Sequence, residues 1–152
     1  MAKTASDILR ELSKKVKDVT KTEAKSFDFL LDEIPMRIIR RTLLGKDISN
    51  SPLKKLSPNY IKARKKMDLG SDAKPTKSNL TLTGEMLSSI EGKRSGTLFT
   101  FSFGSNTFAN DKARWAKEGG RPFFGLSETD KKGLTTKISS IFRQILRDTF
   151  KG

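Results

Sequence analysis

Lys62, Arg64, Lys65 and Lys66 form the densest cluster of cations in this sequence. Clustered cations suit an anion: they touch phosphates, or the acidic groups of a partner, as point charges. Single-strand binders interleave such cations with aromatic rings, and here only Tyr60 stands near. A nucleic-acid contact at this cluster would therefore be directed to the phosphate backbone and sensitive to salt. A solvated helix face is the alternative reading. A second candidate is Gly92-Lys93-Arg94-Ser95-Gly96 followed by Phe99, Phe101 and Phe103. Aromatics exposed on a strand can stack on RNA bases, but the spacing of glycines and rings departs from the RNA-recognition pattern. Three alternating phenylalanines on a strand are more often core.

Other chemistries are excluded by residue type. The chain has no cysteine and no histidine. That removes disulfides, thiolate metal sites, the commonest general base and the commonest metal ligand. The acids are scattered among an excess of lysines, with none in an evident apolar pocket that would raise its pKa. Ser/Lys pairs exist only as coincidences of two abundant types, and no phosphate-loop or dinucleotide fingerprint is present. The expectation is a protein that is not an enzyme and carries no cofactor and no metal. Lys and Arg number 31 against 17 Asp and Glu, a formal charge of +14. Such a balance favours a polyanion as partner: nucleic acid, a phosphate-rich surface or an acidic protein. No apolar run approaches the roughly 20 residues that cross a bilayer, so the chain reads as soluble and intracellular, with no membrane partner.

The elements that would position these groups follow from periodicity. At 152 residues a single domain is expected: a helical N-terminal half (1–67), a flexible loop (69–79) and a sheet-plus-helix C-terminal half (80–152). A first helix over 4–20 carries Ile8, Leu9, Leu12, Val16 and Val19 on one side. A second over about 24–44 is predicted to kink or split at Pro35 and to stop at Gly45. Ser57-Pro58 opens a short helix bearing the basic cluster. Thr83 is placed to cap one helical turn leading to a strand near 88–93. Thr97 to Phe103 alternates phenyl rings with Thr100 and Ser102 and reads as a strand. Residues 105–117 fit a short helix or an ordered loop. Arg121 to Leu126 reads as a short apolar strand. Ser127 with Asp130 resembles a capping box. Behind it Leu134, Ile138, Ile141, Phe142, Ile145 and Leu146 mark one stripe of a terminal helix, opposite Lys137, Arg143, Arg147 and Asp148. The fold class is α+β, a small mostly antiparallel sheet with a long C-terminal helix and N-terminal helices.

Three segments then stand in a telling order. Lys74-Pro75 and Leu80 precede Leu82-Thr83-Gly84-Glu85-Met86-Leu87-Ser88-Ser89-Ile90. Trp115-Ala116 precedes Gly119-Gly120. Arg121-Pro122-Phe123-Phe124-Gly125-Leu126-Ser127, with Asp130, precedes the terminal helix. Together they resemble the virion-morphogenesis or tail-completion family of tailed bacteriophages, whose pattern is Leu, Thr-Gly and Ser-Ile, an aromatic-Ala pair, and Arg-Pro-Phe-Leu-Gly-Leu-Ser. Departures are Phe124 in place of Leu and the lack of a polar His or Gln between Trp115 and Arg121. The first half of the chain is not matched.

The resemblance implies a structural protein without enzymatic activity, forming a ring at the head–tail junction or the top of the tail. Thr83, Gly84, Trp115, Arg121, Pro122, Phe123, Gly125 and Ser127 would be its structural motif. Its partners would be further copies of itself (a hexameric ring is one form), connector or adaptor and tail-tube proteins, and, non-specifically, packaged DNA. It would reside in the virion after assembly in the host cytoplasm. On this reading the Phe99/Phe101/Phe103 face and the terminal helix form the subunit core, Arg121–Leu126 fixes a sheet edge, and the 46–57 and 69–79 loops order on contact with neighbours. The alternative function is a basic nucleic-acid-binding module that contacts the phosphate backbone.

Overall fold

Residues 13–14, 26–67, 74–78, 80, 84–96 and 98–150 are described by a computed structural model of the chain. In order the elements are α1 (Leu30–Leu43), α2 (Pro58–Arg64), α3 (Glu85–Ser88), β1 (Glu91–Ser95), β2 (Leu98–Ser102), α4 (Thr107–Glu118) and α5 (Glu128–Phe150). The class is α+β, with a two-stranded antiparallel sheet, helices before it and a long C-terminal helix. Two compact units divide the chain: Leu30–Lys131, and Met1–Phe29 with Lys132–Gly152. They cut across the halves 1–67 and 80–152. The helix expected over 4–20 lies largely outside the described residues.

In the Leu30–Lys131 unit, α1 buries Leu30, Ile34 and Ile38, one apolar row at a spacing of four. Pro35 lies inside α1 and does not split it. It deprives the Leu31 carbonyl of its helical donor. That carbonyl faces Gly92 of β1, where a Cβ would stand 3.0 Å from it and 2.7 Å from the Phe101 ring. A glycine at this point is what allows the helix to lie so close to the sheet. The helix ends in a Schellman motif. Gly45 takes φ +77, its N–H donates to Thr42 O at 2.8 Å, and Lys46 N–H donates to Arg41 O at 3.2 Å.

β1 and β2 pair with Gly92 opposite Phe101 and Arg94 opposite Phe99. These four residues are half-buried, while Glu91, Lys93, Thr100 and Ser102 are exposed. α1 packs on both strands, so Phe99 and Phe101 turn toward the helix, and base stacking on an open sheet face is not what this row does. Phe103, just past β2, is buried against Phe123 and Phe124 at centroid distances of 6.2 and 4.7 Å.

α3 is one turn, capped by Gly84 at φ +80; Thr83, expected as the cap, lies outside the described residues. Of residues 105–117, those from Thr107 onward are helix. Asn106 caps α4 by accepting from Ala109 N–H at 2.9 Å, and its amide donates to Ser89 Oγ and Glu85 Oε1, tying α3 to α4. Residues 121–126 are not a strand and edge no sheet. Pro122 has no N–H to give a ladder, and Gly125 sits at φ +145. The segment's carbonyls are taken up elsewhere. Ile48 N–H donates to Pro122 O at 3.0 Å.

The 46–57 connector is ordered within the chain. Asp47 Oδ1 accepts from Ser49 and Ser51 N–H at 2.8 and 3.0 Å, and Leu53 N–H donates to Gly45 O. Of the expected loop 69–79, residues 74–78 are tethered: Ser78 Oγ donates to Lys54 O at 2.7 Å. In the other unit, the C-terminal helix buries Leu134 and Ile145 of the predicted stripe. Ile138, Ile141 and Leu146 are half-buried and Phe142 is exposed. Lys137 Nζ sits 4.6 Å over the Phe29 ring.

Candidate functional site

Two clusters in the Leu30–Lys131 unit gather several of the residues singled out in the sequence. The first is built on Arg41, which is 5% exposed. Its Nη1 donates to the Asp130 carboxylate. Its Nη2 donates to Phe123 O and Gly125 O, each at 2.7 Å. Asp130 in turn accepts from the Ser127 hydroxyl at 2.7 Å and the Ser127 N–H at 3.1 Å, while Ser127 Oγ accepts from Asp130 N–H. That is the reciprocal cap anticipated at the start of α5, with Asp serving for Glu. Burial pushes the Asp130 carboxyl up, but the two Ser127 donors and the Arg41 charge outweigh it and hold it below the usual aspartate value. Asp47 is lowered likewise: desolvation opposes, and donors from Ser49 and Ser51 prevail. Phe123, Gly125 and, through Asp130, Ser127 are thus knotted to one guanidinium, while Pro122 O is held by Ile48 N–H. The role of the knot is to hold the segment before α5 against α1.

The second cluster is a cavity of about 360 Å³. Its apolar wall comes from Leu56, Leu80, Met86 and Ala116, with Gly84 beside them. Tyr60, Arg64, Lys112, Trp115 and Arg121 supply rings and cations. Ser57 caps α2 by accepting from Tyr60 N–H at 3.3 Å, and the helix carries both Tyr60 and Arg64 to the cavity. The expected basic cluster is therefore divided. Lys62, Lys65 and Lys66 are exposed, whereas Arg64 is 2% exposed and faces inward. Arg64 does not stand with the three lysines as a surface phosphate contact, because its side chain is buried at the cavity.

Each cation of the cavity has a distinct state. Arg121 is engaged: its Nε donates to Lys54 O at 3.1 Å and its Nη2 to Lys55 O at 3.2 Å. Lys112 lies 3.9 Å over the Phe108 ring and 4.0 Å from Glu85. Arg64 donates from Nη1 to Lys77 O at 3.1 Å, and the Tyr60 ring centre lies 5.9 Å from its guanidinium carbon. Its Nε and Nη2 have no acceptor among the described residues. Uncompensated donors on a buried cation are costly, and in native proteins such groups call for an explanation.

Gly84, Trp115 and Arg121, one from each of the three motif segments, thus meet Arg64 at one cavity. Arg41 and Lys112 were not singled out from sequence. Arg41 had a signal: it lies seven residues beyond Ile34, on the buried face of α1, where a cation needs a partner. Lys112 had none. Among the described residues no group of three His, Cys, Asp or Glu could hold a metal, and no helix is long and apolar enough to cross a membrane. Comparison of the chain with protein-family models, curated proteins and solved structures finds no match.

Proposed function

We propose that the protein is a structural component of a tailed-phage virion, of the neck or tail-completion class, assembling as a ring at the head–tail junction or the top of the tail. The observation that carries this reading is the convergence of the motif segments. Gly84, Trp115 and Arg121 share a cavity wall, and Phe123, Gly125 and, through Asp130, Ser127 are tied to Arg41. Arg121, Phe123, Gly125 and Ser127 are engaged in bonds or packing within the unit, as scaffold residues are. Leu98, Phe108 and Trp115 are each more than half exposed, leaving apolar area for neighbouring subunits. A charge of +14 suits acidic neighbours or a DNA channel. Native mass spectrometry with connector and tail-tube proteins, together with proteomics of purified particles, tests it. A chain that stays monomeric with every virion component and is absent from particles refutes it.

Exposure of Lys62, Lys65 and Lys66 on one short helix and its end supports the second reading, a nucleic-acid-binding module. A salt titration of duplex binding separates the two. An independent binder shows a steep log–log slope that flattens when these three lysines become alanine; a ring subunit binds free duplex weakly.

A further inference from the structure

We propose that the cavity beside α2 receives an acidic side chain of a partner polypeptide, a glutamate or aspartate flanked by an apolar residue, whose carboxylate docks on Arg64. The inference stands apart from the ring reading and would hold for any assembly. Three observations carry it. First, the free donors are Nε and Nη2, which share one edge of the guanidinium plane. That edge presents two parallel N–H bonds, the fork that fits both oxygens of a carboxylate. The remaining nitrogen is occupied by Lys77 O, which fixes the plane of the fork.

Second, the cation is buried. Arg64 is 2% exposed and pairs with no anion among the described residues, in a setting where pairing gains most. Tyr60, 41% exposed, lines the cavity with its ring 5.9 Å from the guanidinium carbon, and rotation of that ring would admit the carboxylate. Third, the surrounding wall is apolar, with Leu56, Leu80 and Met86, and Trp115 stands at its edge, 55% exposed. A ligand with one anionic group and an apolar neighbour matches this pattern. A nucleic-acid backbone does not: it brings repeated phosphates, which need rows of accessible cations, and the exposed Lys62, Lys65 and Lys66 lie outside the cavity lining. Partner charge agrees, since a chain at +14 attracts acidic polypeptide.

The test uses the full chain and its single tryptophan, Trp115, as a fluorescence reporter at the cavity. The probes are a blocked peptide with glutamate between phenylalanine and leucine, its glutamine counterpart, inorganic phosphate and oligothymidylate. The glutamate peptide should change the emission saturably, and the glutamine peptide should bind roughly tenfold more weakly or worse, the loss of about one charged fork. Arg64→Lys, which keeps the charge but not the fork, should lose about as much, while Lys93→Ala on β1 should change nothing. The peptide pair is compared on the unaltered protein, so the result survives if Arg64→Lys fails to fold. Equal binding of the two peptides, an unaltered affinity in Arg64→Lys, or no saturable signal with any probe overturns the proposal. So does displacement of the glutamate peptide by phosphate or oligothymidylate at comparable concentrations, which would make this a phosphate site.

Discussion

Replacing Arg41 with alanine should be among the most damaging single changes in the Leu30–Lys131 unit. Three acceptors lose their donor at once: the Asp130 carboxylate and the Phe123 and Gly125 carbonyls. Stranding one partner of a buried ion pair costs about 3–5 kcal/mol. Each carbonyl left unpaired would add about 1 kcal/mol or more. Two effects offset this. Asp130 keeps both Ser127 donors, and Arg37 Nη1, 3.9 Å from Asp130 Oδ1, can move in. We therefore expect a net loss of about 3–5 kcal/mol. Urea unfolding followed by circular dichroism should show it as a fall in midpoint at constant slope. Paired with Asp130→Ala in a double-mutant cycle, Arg41→Ala should give a coupling of about 1–3 kcal/mol. A loss below about 1 kcal/mol, or strict additivity in the cycle, would refute the view that one guanidinium organises the 121–127 segment.

Asp130→Asn should remove an acid-sensitive part of the stability. The native carboxyl titrates below its ordinary value, so its contribution is present above about pH 4 and is lost as pH falls through the lowered native value; the gap between wild type and variant, read by urea midpoints, should be constant near neutrality and close in acid. Gly92→Ala should cost about 1–3 kcal/mol, because the new methyl meets the Phe101 ring and the Leu31 carbonyl; a neutral result in the same assay would mean that α1 and β1 are not held so closely. Arg64→Met should leave the urea midpoint unchanged or raise it, since exchanging a buried, poorly compensated ion for an apolar side chain is often neutral or stabilising by about 1–4 kcal/mol. A clear fall would make Arg64 a structural residue.

The legible parts were those in which local rules and packing agree. The Ser127–Asp130 cap, the stop at Gly45, the Ser57-Pro58 opening of α2 and the Phe99/Phe101/Phe103 alternation all rest on neighbours in sequence, and each appears where expected. Residues 121–126 read as a strand because their run is apolar, while the Phe123 and Gly125 carbonyls are bonded by Arg41, more than eighty positions earlier. No local pattern announces a partner at that distance. The basic cluster misled for a related reason. Lys62, Arg64, Lys65 and Lys66 look alike in composition, yet a helix turns Arg64 to the opposite side from Lys62. Pro35 looked like a break, but one missing donor near the start of a well-packed helix is tolerated when the orphaned carbonyl faces a glycine. The cavity could not be read at all, because its walls come from α2, α3, α4 and the segments between them.

The knot at Arg41 also bears on the order in which this unit forms. Its hydrogen bonds join positions separated by 82 and 84 residues, and its ion pair spans 89. Closing so long a stretch of chain is entropically slow, and local helices and the β1–β2 hairpin have no need to wait for it. The knot should thus close after the rate-limiting step. Arg41→Ala would then leave the refolding rate nearly untouched and speed unfolding by most of the lost stability. Stopped-flow traces in which refolding slows instead would place this bolt at the beginning of the pathway. If it does close last, it acts as a latch that governs the lifetime of the native state more than its formation.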